Sequence, residues 1–297
     1  MEIHLHRKNL GWTRKSDMIS VVITTFGNLQ YLNRSLTSVK NQTYNDIEVV
    51  IIDGKNDEKV YDLLKSFDFP KHVYIGLEED HGVMFARNVG CEKSNGEYIA
   101  MLDDDDEWLP QKLEKQIQYF DGKTGIVISY TKIVCDDDER FNTNIMPRDR
   151  PSYSYLLSGF HLSPTSSFLV RKDIFESVGY FSQILIYPEY DLALKIAKKG
   201  YEIRCVPEFL LLYHKILKQK RQYSKRTINS VRVFELINFI RKYHSDFFVY
   251  LKGYDFVYNM VRIFVLIVVF GFGGALNQNT ELFLEKIKYF MENKVGK

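Results

Sequence analysis

Cysteine is scarce in this chain. Cys91, Cys135 and Cys205 are the only three in 297 residues. They are odd in number, far apart and in no metal-ligating spacing. That argues against a disulfide framework and a thiolate metal centre, and points to a reducing compartment. An excess of one charge is also missing. The formal net charge is +2, which gives no global case for a nucleic-acid partner. The opening stretch "MEIHLHRKNLGWTRKSDM" has no apolar core of the kind a secretory signal carries, so none is expected. The longest apolar run, Ile263 to Leu276, has 14 residues, where a membrane-spanning helix needs about 20. A buried or interfacial helix is expected there. No repeat or low-complexity tract stands out.

What is present is a globular composition, 45% apolar and 26% charged. The 20 Tyr and 21 Phe suit a packed core and contacts with ring-shaped or amphipathic ligands. The length fits two domains, or one large α/β domain with an appendage.

The hydrophobic pattern alternates between two periods. "ISVVITTF" (Ile19–Phe26), "IEVVIID" (Ile47–Asp53), "HVYIGL" (His72–Leu77) and "EYIAMLD" (Glu97–Asp103) are β-branched and nearly all apolar, as strands buried on both faces are. Between them lie helical spacings over Leu29–Gln42, residues 57–67 and Gly82–Ser94. A short helix is expected to about Phe120, then a strand over "GIVISYTKIV" and a polar excursion from Cys135 to Pro151. After it come a strand and short helix in "SSFLVRKDIFESVGYF", a helix from about Tyr190, a stop at Gly200 and a last strand. From about residue 222 the pattern is helical. Alternation at this spacing predicts an open, mainly parallel α/β sheet, whose ligands sit beyond the carboxyl ends of the strands. Thr24–Phe26, Asp53 and Asp103–Asp106 all fall at such ends.

The run "LDDDDEWLP" is the sharpest chemical signal. Four like charges directly after a buried strand repel one another unless something positive meets them. A solvated acidic face is the common alternative, but this run is poorly placed for it. Carboxylates are hard oxygen ligands suited to Mg²⁺ or Mn²⁺, and Mg²⁺ is typically held by one or two carboxylates plus substrate phosphates.

Four stretches, "ISVVITTFGNLQYLNRSLTSVKNQTYNDIEVVIIDG", "HGVMFARNVGCEKSNGEYIAMLDDDDEWLPQKLEKQ", "SPTSSFLVRKDIFESVGYF" and "YPEYDLALKIAKKGYEIRCVPEFLLLYH", together resemble the inverting family 2 glycosyltransferases of bacterial surface-polysaccharide type. They cover most of residues 19–214. The resemblance implies the GT-A fold: a Rossmann-like, mixed but mainly parallel sheet flanked by helices, here with a C-terminal helical extension. Together with the polar opening and the helical pattern from about 222, it divides the chain into an arm (1–17), a GT-A domain (18–221) and a helical region (222–297) that the resemblance does not cover. It also implies a nucleotide-diphosphate sugar donor, a UDP-sugar first, a divalent cation (Mn²⁺ or Mg²⁺) and a glycan or lipid-linked glycan acceptor. Carried over by position, Thr24, Thr25 and Phe26 line the nucleotide pocket, Asp53 lies near the base and Arg87 near the nucleotide. Asp103, Asp104 and Asp105 form the DXD-type site. Asp105 is the first metal ligand with Asp103 beside it, Asp104 is nearest the ribose or sugar, and Asp106 is structural. His214 stands where relatives often have a basic residue, and is expected to reach the diphosphate or the metal, or to serve as a structural histidine.

An inverting transfer needs a carboxylate to take the acceptor proton. In "YPEYDL", Glu189 holds the family's base position and Asp191 is the acid two residues on. Pro188 replaces the first acid of the usual pair. Both acids also suit a helix first turn for electrostatic reasons alone. The chain departs again at "IIDGKND", where Gly54 replaces a second acid, and at Thr24 and Gly27, where Pro and Asn are usual. These changes bear on nucleotide choice more than on chemistry. A non-catalytic nucleotide-sugar or glycan binding protein on the same fold is the alternative. Seven Lys or Arg between Lys215 and Arg232, without an acid, fit a solvated face, a clamp on the diphosphate or an anionic membrane surface. The C-terminal helices fit peripheral membrane contact, a homodimer or packing on the core. The expected location is cytoplasmic, at the inner face of the plasma membrane if the peripheral reading holds.

Overall fold

A computed structural model describes residues 3–8, 17–158, 162–183, 188–215, 242–243 and 245–246. The region expected to be helical from 222, apart from those four residues, lies outside them. So do Ile263–Leu276, the basic run beyond Lys215 and His161, which stands just before "LSPTSS" and reads from the sequence as a structural residue or one that faces the acceptor. Among the described residues no helix is long and apolar enough to cross a membrane.

The centre of the sheet is parallel. β2 (Ile19–Thr25), β3 (Ile47–Asp53), β4 (His72–Leu77) and β5 (Tyr98–Asp103) stand in the order β4-β3-β2-β5. Their runs of Val and Ile are buried along almost their whole length, as expected of strands covered on both faces. α1 (Leu29–Lys40) turns Leu32, Leu36 and Val39 onto this sheet, and the Asn28 side chain caps it by accepting from the Tyr31 N–H at 3.3 Å. α2 (Glu58–Ser66) is capped in the same way by Asp57. α3 (Val83–Lys93) packs closest. A Cβ on its Gly90 would stand 2.5 Å from Val22 Cγ1 and 3.1 Å from Ile52 Cγ1, so the helix rests on the sheet through a bare backbone.

Beyond β5 the sheet becomes mixed. β6 (Glu107–Trp108) and α4 (Lys112–Ile117) lead into β7 (Thr124–Cys135), the polar excursion returns as β8 (Thr143–Ile145) antiparallel to β7, and α5 (Tyr153–Ser158) follows. β9 (Leu169–Arg171) lies antiparallel between β5 and β7. α6 (Lys172–Ser177) and α7 (Pro188–Lys198) precede β10 (Glu202–Lys215), which pairs parallel with β7 and antiparallel with β6. The reading of the N-terminal segment as an arm needs amendment. Ile3–Lys8 is a strand, β1, antiparallel to β4 at the sheet edge. The sequence "IHLHRK" opens on alternating apolar and polar residues, a strand pattern.

The chain divides into two compact units. The first holds Met1–Pro151, His161–Gln183 and Pro188–Lys218. The second holds Ser152–Phe160, Ile184–Tyr187 and Gln219–Lys297. Within the second, Tyr153 donates its hydroxyl to Asp246 at 2.6 Å. The first contains every candidate residue named above. Strand register sets them in a row, with Thr24 level with Asp103 and Thr25 level with Asp53.

Candidate active site

The protein itself answers three of the four aspartates. Asp103 accepts a hydrogen bond from the Arg87 guanidinium, which is 6% exposed. Asp104 accepts from the Thr25 hydroxyl at 2.6 Å. Asp106 is fully buried and accepts from the Ser166 hydroxyl at 2.5 Å and the His214 backbone N–H at 3.2 Å. Ser166 also accepts from the Asp103 N–H at 3.1 Å, and its carbonyl accepts from the Trp108 indole at 2.7 Å. One serine therefore pins both ends of the acid run, and Asp106 is the structural member expected.

Asp105 differs. Among the described residues no side chain pairs with its carboxylate. Burial pushes its pKa up, and the Asp103 charge adds. Burial likewise lifts Asp104 to about 6, against the Thr25 hydrogen bond. Asp106 is pushed well up by burial and by Asp103. A group so raised favours a nearby positive charge. Among the described residues no three His, Cys, Asp or Glu side chains converge to hold a metal by themselves. The donor set fits a cation bound through one or two carboxylate oxygens, completed by other oxygen ligands.

Arg87 links this run to the first turn of α7. Glu189 there is partly buried, and among the described residues no side chain bonds its carboxylate. Burial raises its pKa. The Arg87 guanidinium opposes that rise, and Asp103 adds to it. Asp191 behaves otherwise. It is fully buried, accepts from the Ser182 hydroxyl at 2.7 Å and has the Lys195 ammonium at 3.9 Å. This arrangement ties α7 to the segment before it and leaves Asp191 no face toward the crevice.

Two further expectations change in detail. Asp53 is fully buried. Its oxygens accept from the Lys55 N–H at 2.9 Å, the Asp57 N–H at 2.7 Å and the Tyr74 hydroxyl at 3.0 Å. It shapes the turn after β3 and presents no free edge. The His214 ring does not point freely into the site. Its Nδ1 lies 2.7 Å from Asp136 and its Nε2 3.5 Å from Glu107. Thr24 is half-buried, and Phe26 is 46% exposed at the rim.

Sequence reasoning missed Arg34, Asp136, Ser166, Tyr213 and Lys55. The Arg34 guanidinium donates to the Asp105 carbonyl oxygen and lies 3.7 Å from Asp136. The Tyr213 phenol is raised by burial and then by the Asp106, Asp103, Asp105 and Glu189 charges. Tyr213 adjoins His214, and Ser166 lies in the quoted "SPTSS", so both stood in stretches already singled out. Arg34 and Lys55 also lie in quoted stretches and Asp136 in the polar excursion, but nothing local marked these three side chains.

The family model described as "Glycosyl transferase family 2" matches residues 20–179, more than half of the chain. The chain belongs to glycosyltransferase family 2. It is similar to an uncharacterised glycosyltransferase of Methanocaldococcus jannaschii, 26% identical over 231 residues, covering 72% of this chain and 79% of that protein. It is also similar to the Bacillus subtilis protein named "Putative teichuronic acid biosynthesis glycosyltransferase TuaG", 26% identical and covering 77% of this chain and 93% of that one. Two solved structures share the GT-A fold. S. aureus TarS 1-349 in complex with UDP-GlcNAc matches with a TM-score of 0.59 at 16% identity, over 75% of this chain and 66% of that one. The mannosyltransferase PcManGT of Pyrobaculum calidifontis, in complex with GDP-Man and Mn²⁺, matches with a TM-score of 0.58 at 16% identity, over 93% and 81%. The chain is a glycosyltransferase with a mixed, mainly parallel GT-A sheet.

Proposed function

We propose that this glycosyltransferase is metal-dependent and inverting, and moves a sugar from a nucleoside-diphosphate donor to an acceptor hydroxyl in surface-polysaccharide synthesis. The carrying observation is the division of labour among the acids. Three of the four aspartates are engaged by the protein's own donors, Asp105 is left without a side-chain partner, and Glu189 is a separate raised carboxylate coupled to the same Arg87–Asp103 pair. A UDP-sugar donor is supported by the TarS complex with UDP-GlcNAc, and a Mn²⁺ cofactor by the PcManGT complex. A glycan or lipid-linked glycan acceptor is supported by the teichuronic acid name of the Bacillus relative.

Asp105, with the oxygen of Asp103 that does not face Arg87, would hold Mn²⁺ or Mg²⁺. The cation supplies charge neutralisation on the diphosphate leaving group. Thr24, Thr25 and Phe26 hold the nucleotide, and Asp104 lies next along toward the ribose or sugar. Glu189 removes the acceptor hydroxyl proton as that oxygen bonds to the anomeric carbon. The bond from that carbon to the diphosphate oxygen breaks on the opposite face, so the configuration inverts. Burial makes Glu189 a stronger base than an exposed glutamate. Arg87 opposes that rise, which favours the ionised form, and holds Asp103 in place.

Glu189→Gln tests the assignment. Donor binding by calorimetry stays within about twofold, while sugar transfer and slow donor hydrolysis fall at least about a hundredfold, the span a general base provides. Asp105→Asn instead loses the Mn²⁺-dependent part of donor binding. A Glu189→Gln enzyme that still transfers sugar ends the base assignment. An unmodified protein that binds donor and turns over no donor in a panel is a binding protein.

A further inference from the structure

The turn after β3 raises a question of base recognition. Asp53 is fully enclosed and occupied by two backbone N–H groups and a tyrosine hydroxyl. Turned outward beside Phe26 is Lys55. Its backbone N–H is fixed by Asp53, and its ammonium lies 4.8 Å from the centroid of the Phe26 ring. Its stem runs over Gly27, whose φ is +80°. A Cβ there would stand 3.1 Å from Lys55 Cδ. A Cβ on Gly54 would come 2.9 Å from Phe26 Cδ2. Two missing side chains therefore give the ring and the lysine their room, and any acid at position 54 would displace the ring.

We propose that Lys55 reads the donor's nucleobase by donating to a ring carbonyl oxygen, which selects uracil, thymine or guanine nucleotides over cytosine and adenine. This rests on the reading of Thr24–Phe26 as the nucleotide pocket. An ammonium has three donors and no acceptor. Uracil and thymine present O4, and guanine O6 beside N7. Cytosine and adenine present an amino group at the corresponding position, so donor would face donor. An aromatic face stacks on any base and gives affinity without choice. Phe26, 46% exposed, supplies the first property and Lys55 the second.

The test is equilibrium binding of UDP, GDP, CDP, ADP and inorganic pyrophosphate, with Mn²⁺, to the full chain and to Lys55→Met and Lys55→Glu. Lys55 is exposed, so both variants should keep the unfolding midpoint of the parent. The parent prefers UDP or GDP to CDP and ADP by about tenfold, the scale of one hydrogen bond to a charged group. Lys55→Met weakens the preferred nucleotide about tenfold and brings the ratio near one, while pyrophosphate binding is unchanged. Lys55→Glu turns the preference toward CDP or ADP. Equal weakening of all four nucleotides and of pyrophosphate makes Lys55 a phosphate contact and overturns the proposal. So does an unchanged ratio in Lys55→Met. A parent that binds none of the nucleotides overturns the pocket reading and this proposal with it.

Discussion

Replacing Arg87 with Met separates its two duties. Arg87 is 6% exposed and pairs with Asp103, whose side chain is 28% exposed. Removing one partner of a fully buried pair costs about 3–5 kcal/mol, because the other charge is stranded. Water reaches Asp103, so the expected loss is smaller, about 2 kcal/mol, read as a lower urea midpoint. The catalytic effect has a definite sign. Arg87 lowers the pKa of Glu189, and Glu189 acts as a base only when ionised. Without the guanidinium its pKa rises further. A nearby opposite charge lowers the pKa of an acid, and Arg87 acts on Glu189 through its charge while bonding to Asp103. The acid limb of kcat against pH therefore moves to higher pH in Arg87→Met. On that limb the variant is slower than the parent, and the gap closes at high pH. Arg87→Lys keeps the charge and moves the limb less. A limb that stays put or moves to lower pH in Arg87→Met refutes the coupling of Arg87 to Glu189.

Three other outcomes follow from the same geometry. Asp104 has its pKa raised from 3.8 to about 6, so the folded state holds the proton more tightly than the unfolded chain. Its stabilising effect is complete below about pH 4 and is lost as pH rises through about 6, a change of about 3 kcal/mol reduced to about 1–2 by partial exposure; Asp104→Asn flattens that part of a stability–pH profile measured without cation. Gly90→Ala drives a methyl to within 2.5 Å of Val22 and lowers stability by about 1–2 kcal/mol, since overpacking of about 1–3 kcal/mol exceeds the helix propensity gained. Ser166→Ala removes the hydroxyl shared by Asp103 and Asp106, and costs about 2 kcal/mol in a thermal melt by leaving a buried carboxyl group short of a partner.

The central strands were legible because Val and Ile runs at 19–25, 47–53 and 72–77 have one use in an alternating chain: burial on both faces of a parallel sheet. β1 was not, because six residues with two histidines and a basic Arg7–Lys8 end carry too little apolar weight to register against a polar arm. The acid run was legible as a place but not as a division of labour. Which aspartate is free depends on Thr25, Arg87, Ser166 and His214, which approach from sequence separations between 16 and 108 residues. No local window contains them. Asp53 shows the same limit in reverse, since an acid at a strand end reads as ligand-facing until the turn folds back to occupy it.

The choice between Glu189 and Asp191 was within reach of the sequence. Both lie in the first turn of one helix, and residues two apart on a helix point about 200° from each other. One can face the crevice only if the other faces the core. Leu194, three residues after Asp191 and so on its side of α7, is buried, and Lys195 stands four residues after Asp191, at the spacing of a helical ion pair. That pattern buries Asp191 with a partner of its own and turns Glu189 the other way, toward Arg87. If Asp191 fixes α7 and does not accept the acceptor proton, Asp191→Asn lowers the unfolding midpoint and leaves the acid limb of kcat where it was, whereas Glu189→Gln abolishes transfer with the fold intact. Loss of transfer at full stability in Asp191→Asn would reverse the two roles.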